Sequence, residues 1–419
     1  MAQDAALRDR VAQLVGKLQV ADMADRDAAE KALGLLGPSA LRLLPAELPA
    51  KADADAVTRL ARVRGVMEES AEKGLLEASR VTIKGESIRM SDALRELQRQ
   101  TGNTLTDLRE QFGGETTNPA MDLDIDNKTF FEALLEIARK GEFGLTFSTG
   151  DGSIGLIPAG GMYGRQVEAA DRTKAAEPLV KLVGPFRVEL KQLSLARDLA
   201  TNQSRGNALF EVAWEPRLRP MLLALKAEDI EIFDDLDQKV LPEVADESTS
   251  TVLRPENPAA DVYLNMSAPD RKAQLFKTLK VKSTVTLPAG LKQFRFARLD
   301  QSDVALQQGD VKVTLQSTNV DDSVWSVQVL LEMPEGGPAF ESYQQGLFNN
   351  RIWLQKADGS RFEHNGGFNT TSVSQGKIGF EYLFVDAPGK LADYQLVYET
   401  PSRVLTLPLE FTFENVPLP

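Results

Sequence analysis

The sequence predicts a multidomain α+β chain: an N-terminal α-helical hairpin region, a small α+β module, and an all-β C-terminal half made of two sandwiches. Three observations carry this expectation. Apolar side chains recur at three- and four-residue steps through residues 1–79. Residues 80–158 switch between that helical period and strict alternation. Residues 183–419 alternate almost throughout, in short runs punctuated by turn clusters at roughly 8–15 residue intervals. A chain of 419 residues is long enough for about three ordinary domains.

Composition removes several function classes. There is no cysteine, so no disulfide framework, thiol nucleophile or cysteine-held metal can be built. The single histidine, His364, excludes any metal site needing two imidazoles from one chain. It lies in Arg361–Gly367, polar and Gly-rich, and no G-x-S-x-G elbow exists to use it, so it reads as a surface residue. The formal charge of −13 argues against nucleic-acid partners and anionic membrane surfaces. No apolar run reaches the ~20 residues of a membrane helix, so membrane insertion is not expected. No cofactor is implied. Met1-Ala2-Gln3-Asp4 lacks the features of a signal peptide and resembles a mature end left by cleavage, with Met1 added. The expectation that follows is extracytoplasmic, in periplasm or at the cell surface; a cytosolic protein without cysteine is the alternative.

The first region begins with a helix whose face carries Leu7, Val11, Leu14, Val15 and Leu18. A second helix is expected from about Asp25, burying Ala28, Ala29, Ala32, Leu33, Leu35 and Leu36 and stopping at Gly37-Pro38. After a short segment Ser39–Leu44, a third should start near Asp53 and bury Val57, Leu60, Ala61, Val63 and Met67. The stretch Ala24-Asp25-Arg26-Asp27 through Gly37-Pro38-Ser39-Ala40-Leu41 resembles one HEAT-type helical hairpin. A single such unit implies a packing or docking element, because solenoids stack three or more.

In the second region, Arg80–Ile83 is a strand, and Met90, Ala93, Leu94 and Leu97 stripe a helix ending at Gly102. Met121-Asp122-Leu123-Asp124-Ile125-Asp126 alternates, which turns Leu123 and Ile125 inward and the three Asp outward. Thr129-Phe130-Phe131-Glu132 is a capping box opening a helix that buries Phe130, Phe131, Leu134, Ile137 and Ala138. Strands Gly144–Thr149 and Ser153–Ile157 follow, joined at Gly150-Asp151-Gly152. This order resembles the secretin and TonB short N-terminal domain, on three features: Val81-Thr82-Ile83 before the helix Ser91–Thr101; the Leu123/Ile125 strand running into Thr129–Leu134; and the closing hairpin. In that family the module serves protein interaction or signalling. No secretin or receptor barrel follows here, so the resemblance does not imply transport.

Residues 159–182 read as a linker. Gly160-Gly161-Met162-Tyr163-Gly164 lacks the Lys-Ser/Thr of a P-loop and reads as a hinge. In the all-β half, the runs Phe186–Leu190, Leu209–Trp214, Ile230–Phe233, Val281–Leu287 and Phe294–Leu299 form one series, assigned to a sandwich over 183–299. Val311–Leu315, Trp325–Leu331, Arg351–Leu354, Lys377–Val385, Tyr394–Tyr398 and Val404–Phe413 form a second, assigned to 300–419. These suit tandem immunoglobulin-like sandwiches; a single larger sandwich is the alternative. Leu391–Tyr398 is similar to a tyrosine-corner strand, without the usual cysteine.

Charge is unevenly spread. Residues 1–80 carry 12 basic and 13 acidic side chains, 81–158 carry 8 and 13, and the remainder 28 and 35. The secretin-like module is the most acidic for its size, which suits a basic partner. Its Asp122, Asp124 and Asp126 have the opening of a calcium loop, but Asn127 and Ala133 stand where Gly and Glu would be needed. They read as a solvated strand face whose like charges discourage edge pairing. We take them as the candidate protein-interaction residues. Asp234, Asp235 and Asp237 read as a solvated hairpin tip, with weak calcium binding as the alternative. Trp214, Trp325 and Trp353 each fall within an alternating strand and read as core. The expected function is a non-enzymatic envelope protein that binds a protein partner or serves as a scaffold, acting through the secretin-like module. Carbohydrate or cell-wall binding by the sandwiches is one alternative, and a carboxylate-pair hydrolase a more remote one.

Overall fold

The computed structural model describes residues 2–45, 48–49, 51–159, 178–243, 248–333 and 350–419. Two compact units divide the chain, Met1–Ser79 and Arg80–Pro419.

The first unit contains α1 (Ala2–Lys17), α2 (Met23–Gly34), a 3-10 turn (Pro38–Leu43) and α3 (Ala54–Leu76). Val11, Leu14, Leu18, Ala29, Leu33, Leu60, Val63 and Met67 close one core. Asp22 caps α2 by accepting from the amides of Ala24 and Asp25, and Asp53 caps α3 through the Asp55 amide. α2 stops at Gly34, three residues before the expected Gly37, whose positive φ instead starts the 3-10 turn. Leu35 is therefore exposed rather than buried, as is Val57 on the outer face of α3. Arg59, buried among carboxylates, donates to Asp55, Asp27 and Glu30 at 2.6–2.7 Å and ties α2 to α3.

The second unit opens with β1 (Arg80–Arg89), α4 (Met90–Thr101), β2 (Leu105–Asp107), β3 (Ala120–Thr129), α5 (Phe130–Gly141), β4 (Phe143–Thr146) and β5 (Ile154–Pro158). β1 pairs antiparallel with β3; β2 pairs parallel with β5, whose other side takes β4. Apolar faces of both helices and both small sheets meet in one core. Gly102 ends α4 in the left-handed conformation, φ +71°. Both halves of the Thr129/Glu132 capping box form at the start of α5.

The β half contains β6 (Leu179–Val183), β7 (Phe186–Arg197), β8 (Ser204–Trp214), β9 (Leu222–Asp234), β10 (Lys239–Val240), β11 (Ser248–Val252), β12 (Ala259–Ser267) and β13 (Leu275–Phe296). It continues with β14 (Val304–Gln308), β15 (Val311–Asp321), β16 (Val324–Glu332), β17 (Arg351–Lys356), β18 (Arg361–Glu363), β19 (Phe368–Ser374), β20 (Lys377–Val385) and β21 (Tyr394–Pro417). β6 starts inside the expected 159–182 linker; the expected Gly160–Gly164 hinge lies outside the described residues.

Three sheets result, ordered β12-β8-β7-β6, β10-β9-β13-β21-β17-β18 with β11 also on β9, and β14-β15-β16-β20-β19. The middle sheet runs through the whole β half. β13 residues 275–289 pair with 403–417 of β21, and residues 291–296 pair with 396–401. Gly290, φ +60°, interrupts β13 between these stretches, where a Cβ would come within 2.5 Å of the Ser402 hydroxyl. The four-stranded sheet packs on the first stretch: Phe210, Val212, Val262 and Leu264 meet Leu223, Leu225, Val281 and Phe411, leaving a gap of only 10 Å³. The five-stranded sheet packs on the second, where Val313, Val327, Phe380 and Phe384 join Phe294, Ile352, Leu354 and Leu396.

This corrects the expected division into sandwiches over 183–299 and 300–419. Two sandwich-like lobes exist, but β21 crosses between them, and its residues 404–417 complete the first. Phe294–Leu299 is not a separate strand start, and Tyr394–Tyr398 and Val404–Phe413 are one strand.

The α+β module is fastened to the first lobe. Glu215, fully buried, accepts from Asn103 Nδ2 at 3.1 Å and Arg217 Nε at 2.6 Å, and Asn103 Oδ1 accepts the Arg217 amide at 3.1 Å. The Gly152 amide donates to the Glu256 carbonyl, and Ala213 joins the module's core.

Candidate protein-interaction site

Alternation along β3 decides the site. Met121, Leu123 and Ile125 are buried against the helices, so Asp122, Asp124 and Asp126 share the outer face, all exposed. The structure thus brings the three predicted residues together on one surface. It adds Lys84, which the cross-strand register sets opposite Asp124. Its ammonium lies 2.9 Å from Asp126 and 3.9 Å from Asp124, and its hydrogen bond to Asp126 raises its pKa above the ordinary lysine value. Among the described residues Lys84 is the one cation ion-paired with these carboxylates; Lys128 and Lys140 stand close by and pair with Glu136. Asp122 is used differently: its Oδ1 accepts the Ser87 amide at 2.9 Å, and Lys140 donates to its carbonyl at 2.5 Å.

Strand addition along the β1 edge is hindered at Thr82. The Gln100 side-chain amide donates to the Thr82 carbonyl and accepts the Thr82 amide, at 2.9 and 3.0 Å, occupying backbone groups of β1. What the sheet offers is its charged face.

Other singled-out residues lie elsewhere. Asp234 is fully buried, contrary to the solvated tip expected, because its Oδ1 accepts the amides of Leu236 and Gln238 and closes the turn into β10. Asp235 accepts the Gln274 amide, and Asp237 pairs with Lys277. Among the described residues, no group of three or more acidic or histidine side chains is arranged to hold a metal ion. His364 is half-buried rather than fully exposed: it packs edge-on against Tyr382 and Phe384, with ring centroids at 5.4 and 6.4 Å, and burial lowers its pKa. Trp214, Trp325 and Trp353 are all buried, and the guanidinium groups of Arg351 and Arg361 lie over the Trp353 ring. The Tyr394 hydroxyl donates to the Pro388 carbonyl, six residues upstream.

Sequence reasoning missed Lys84 and the Asn103–Glu215–Arg217 cluster. Lys84 was recoverable from β1/β3 pairing. The cluster joins positions over a hundred apart and left no local signal.

No family model matches the chain, and no curated protein does. Among solved structures, a chain described as "pT26-6p" is similar at 9% identity, over 58% of this chain and 63% of that one. Its TM-score of 0.15 is too low to carry an argument. No described helix is long and apolar enough to cross a membrane.

Proposed function

We infer that this is a non-enzymatic, extracytoplasmic protein of the bacterial envelope that binds or scaffolds a protein partner through the module at residues 80–158. One observation carries the reading: Asp122, Asp124 and Asp126 stand side by side on an exposed strand face, where Lys84 is the one cation ion-paired with them among the described residues. A surface of this kind selects a Lys/Arg-rich partner by complementarity and speeds encounter. The order of two helices and two small sheets in one core supports the likeness to the secretin and TonB N-terminal domain. The helical unit and the two lobes then act as docking element and spacer, the lobes being immunoglobulin-like in their sandwich layers and in the Tyr394 hydroxyl bond. The burial of all three tryptophans weighs against sugar stacking.

The test compares the full chain with Asp122→Lys/Asp124→Lys/Asp126→Lys, each immobilised and exposed to solubilised envelope proteins identified by mass spectrometry. A specific partner should be retained by the parent, weakened by added salt, and lost from the variant. Equal retention by both would refute the assignment of the site.

A further inference from the structure

Many sheet edges in this unit carry charge: Asp122, Asp124 and Asp126 on β3, Lys181 on β6, Asp261 on β12, and Arg361 with Glu363 on β18. Charged edges resist pairing with other chains. The uncharged edges β4, β11 and β14 have no more than five residues each. β19 is the exception. It has seven residues, every side chain is exposed, and β20 is its one partner among the described residues. From Gly366 to Gly376 no residue is charged, in a chain that is 26% charged. Phe368 and Val373 are 45% and 60% exposed, and Phe368 forms a ledge on Phe380 and Tyr382, with centroids at 6.2 and 5.7 Å.

We propose that β19 is a self-association edge, pairing antiparallel with β19 of a second copy and joining two five-stranded sheets into one of ten strands. A second copy fits because like charges set opposite one another destabilise a strand pair, and β19 brings none, while its Thr and Ser side chains form favourable cross-strand pairs with themselves. Each molecule carries −13, a repulsion any self-association must overcome, and an uncharged edge adds no local repulsion to it. A two-fold arrangement uses the same patch twice, covers Phe368 on both copies and closes without forming a filament.

Sedimentation velocity on the full chain, over rising protein concentration at low and high sodium chloride, tests this. Dimer should increase with concentration and with salt, since salt screens the net repulsion. Thr370→Lys/Ser372→Lys should weaken association by about tenfold or more at low salt, with an unchanged Tm because both side chains are exposed. On the unmodified chain, hydrogen exchange should slow over 368–374 as dimer forms, a readout independent of the variant's folding. A monomer at every concentration, a dimer indifferent to the two lysines, or protection confined to another strand would each overturn the proposal.

Discussion

At the scale of single residues, the buried cations show how charge is placed. Arg109 is 5% exposed, donates to both oxygens of Asp107 at 2.9 and 2.7 Å, and reaches the Thr117 carbonyl at 2.8 Å. Its hydrogen bonds hold the Asp107 carboxyl below the ordinary range. The folded-state value then lies below the unfolded one, near 3.9, so the pair's stabilisation is complete above that value and fades as pH falls through the folded value. Asp107→Asn should melt earlier than the parent at pH 7, and the gap should shrink as melts are taken toward pH 2; a gap independent of pH would count against the pair. The histidine gives a second lesson. Phe362 and His364 alternate toward the same side, a legible sign of partial burial that local polarity obscured.

Among elements, α5 and β3 were the most legible, because capping and alternation act over a few residues. Thr129→Ala should remove the α5 cap and cost about 1 kcal/mol, seen as a lower urea midpoint at constant m. An unmoved midpoint would show that packing of Phe130 and Phe131 alone starts this helix. Local sequence divides the long strands into pieces for a physical reason. Pro288-Ala289-Gly290 and Thr400-Pro401-Ser402 look like turns locally, and only pairing of each strand with the other carries the ladder past them. β12 alternates with Val262, Leu264 and Met266 buried and Asp261 and Asn265 outward, but the exposed aromatic Tyr263 between them makes Val262–Leu264 a continuous apolar run that blurs the pattern.

For the whole molecule, the sharing of β21 is the dominant fact. Phe411 sits in the half of the sequence assigned to the second sandwich, yet it packs on Phe210 of the first lobe at 5.4 Å. Phe411→Ala should cost about 3–5 kcal/mol. Hydrogen exchange should then accelerate in β7 and β8 while β15 and β16 stay protected; the reverse pattern would refute the lobe assignment. The Asn103–Glu215–Arg217 cluster sets a similar limit, since it couples the α+β module to the first lobe rather than leaving it to swing on its linker. The crossing strand also has a consequence for biosynthesis. A chain leaving the ribosome presents β7, β8, β9 and β13 long before Leu405–Val416 can pair with Phe276–Leu287. The lobe begun first is thus finished last, and its exposed strands must wait through translation of the second lobe, the interval in which a folding helper would matter most.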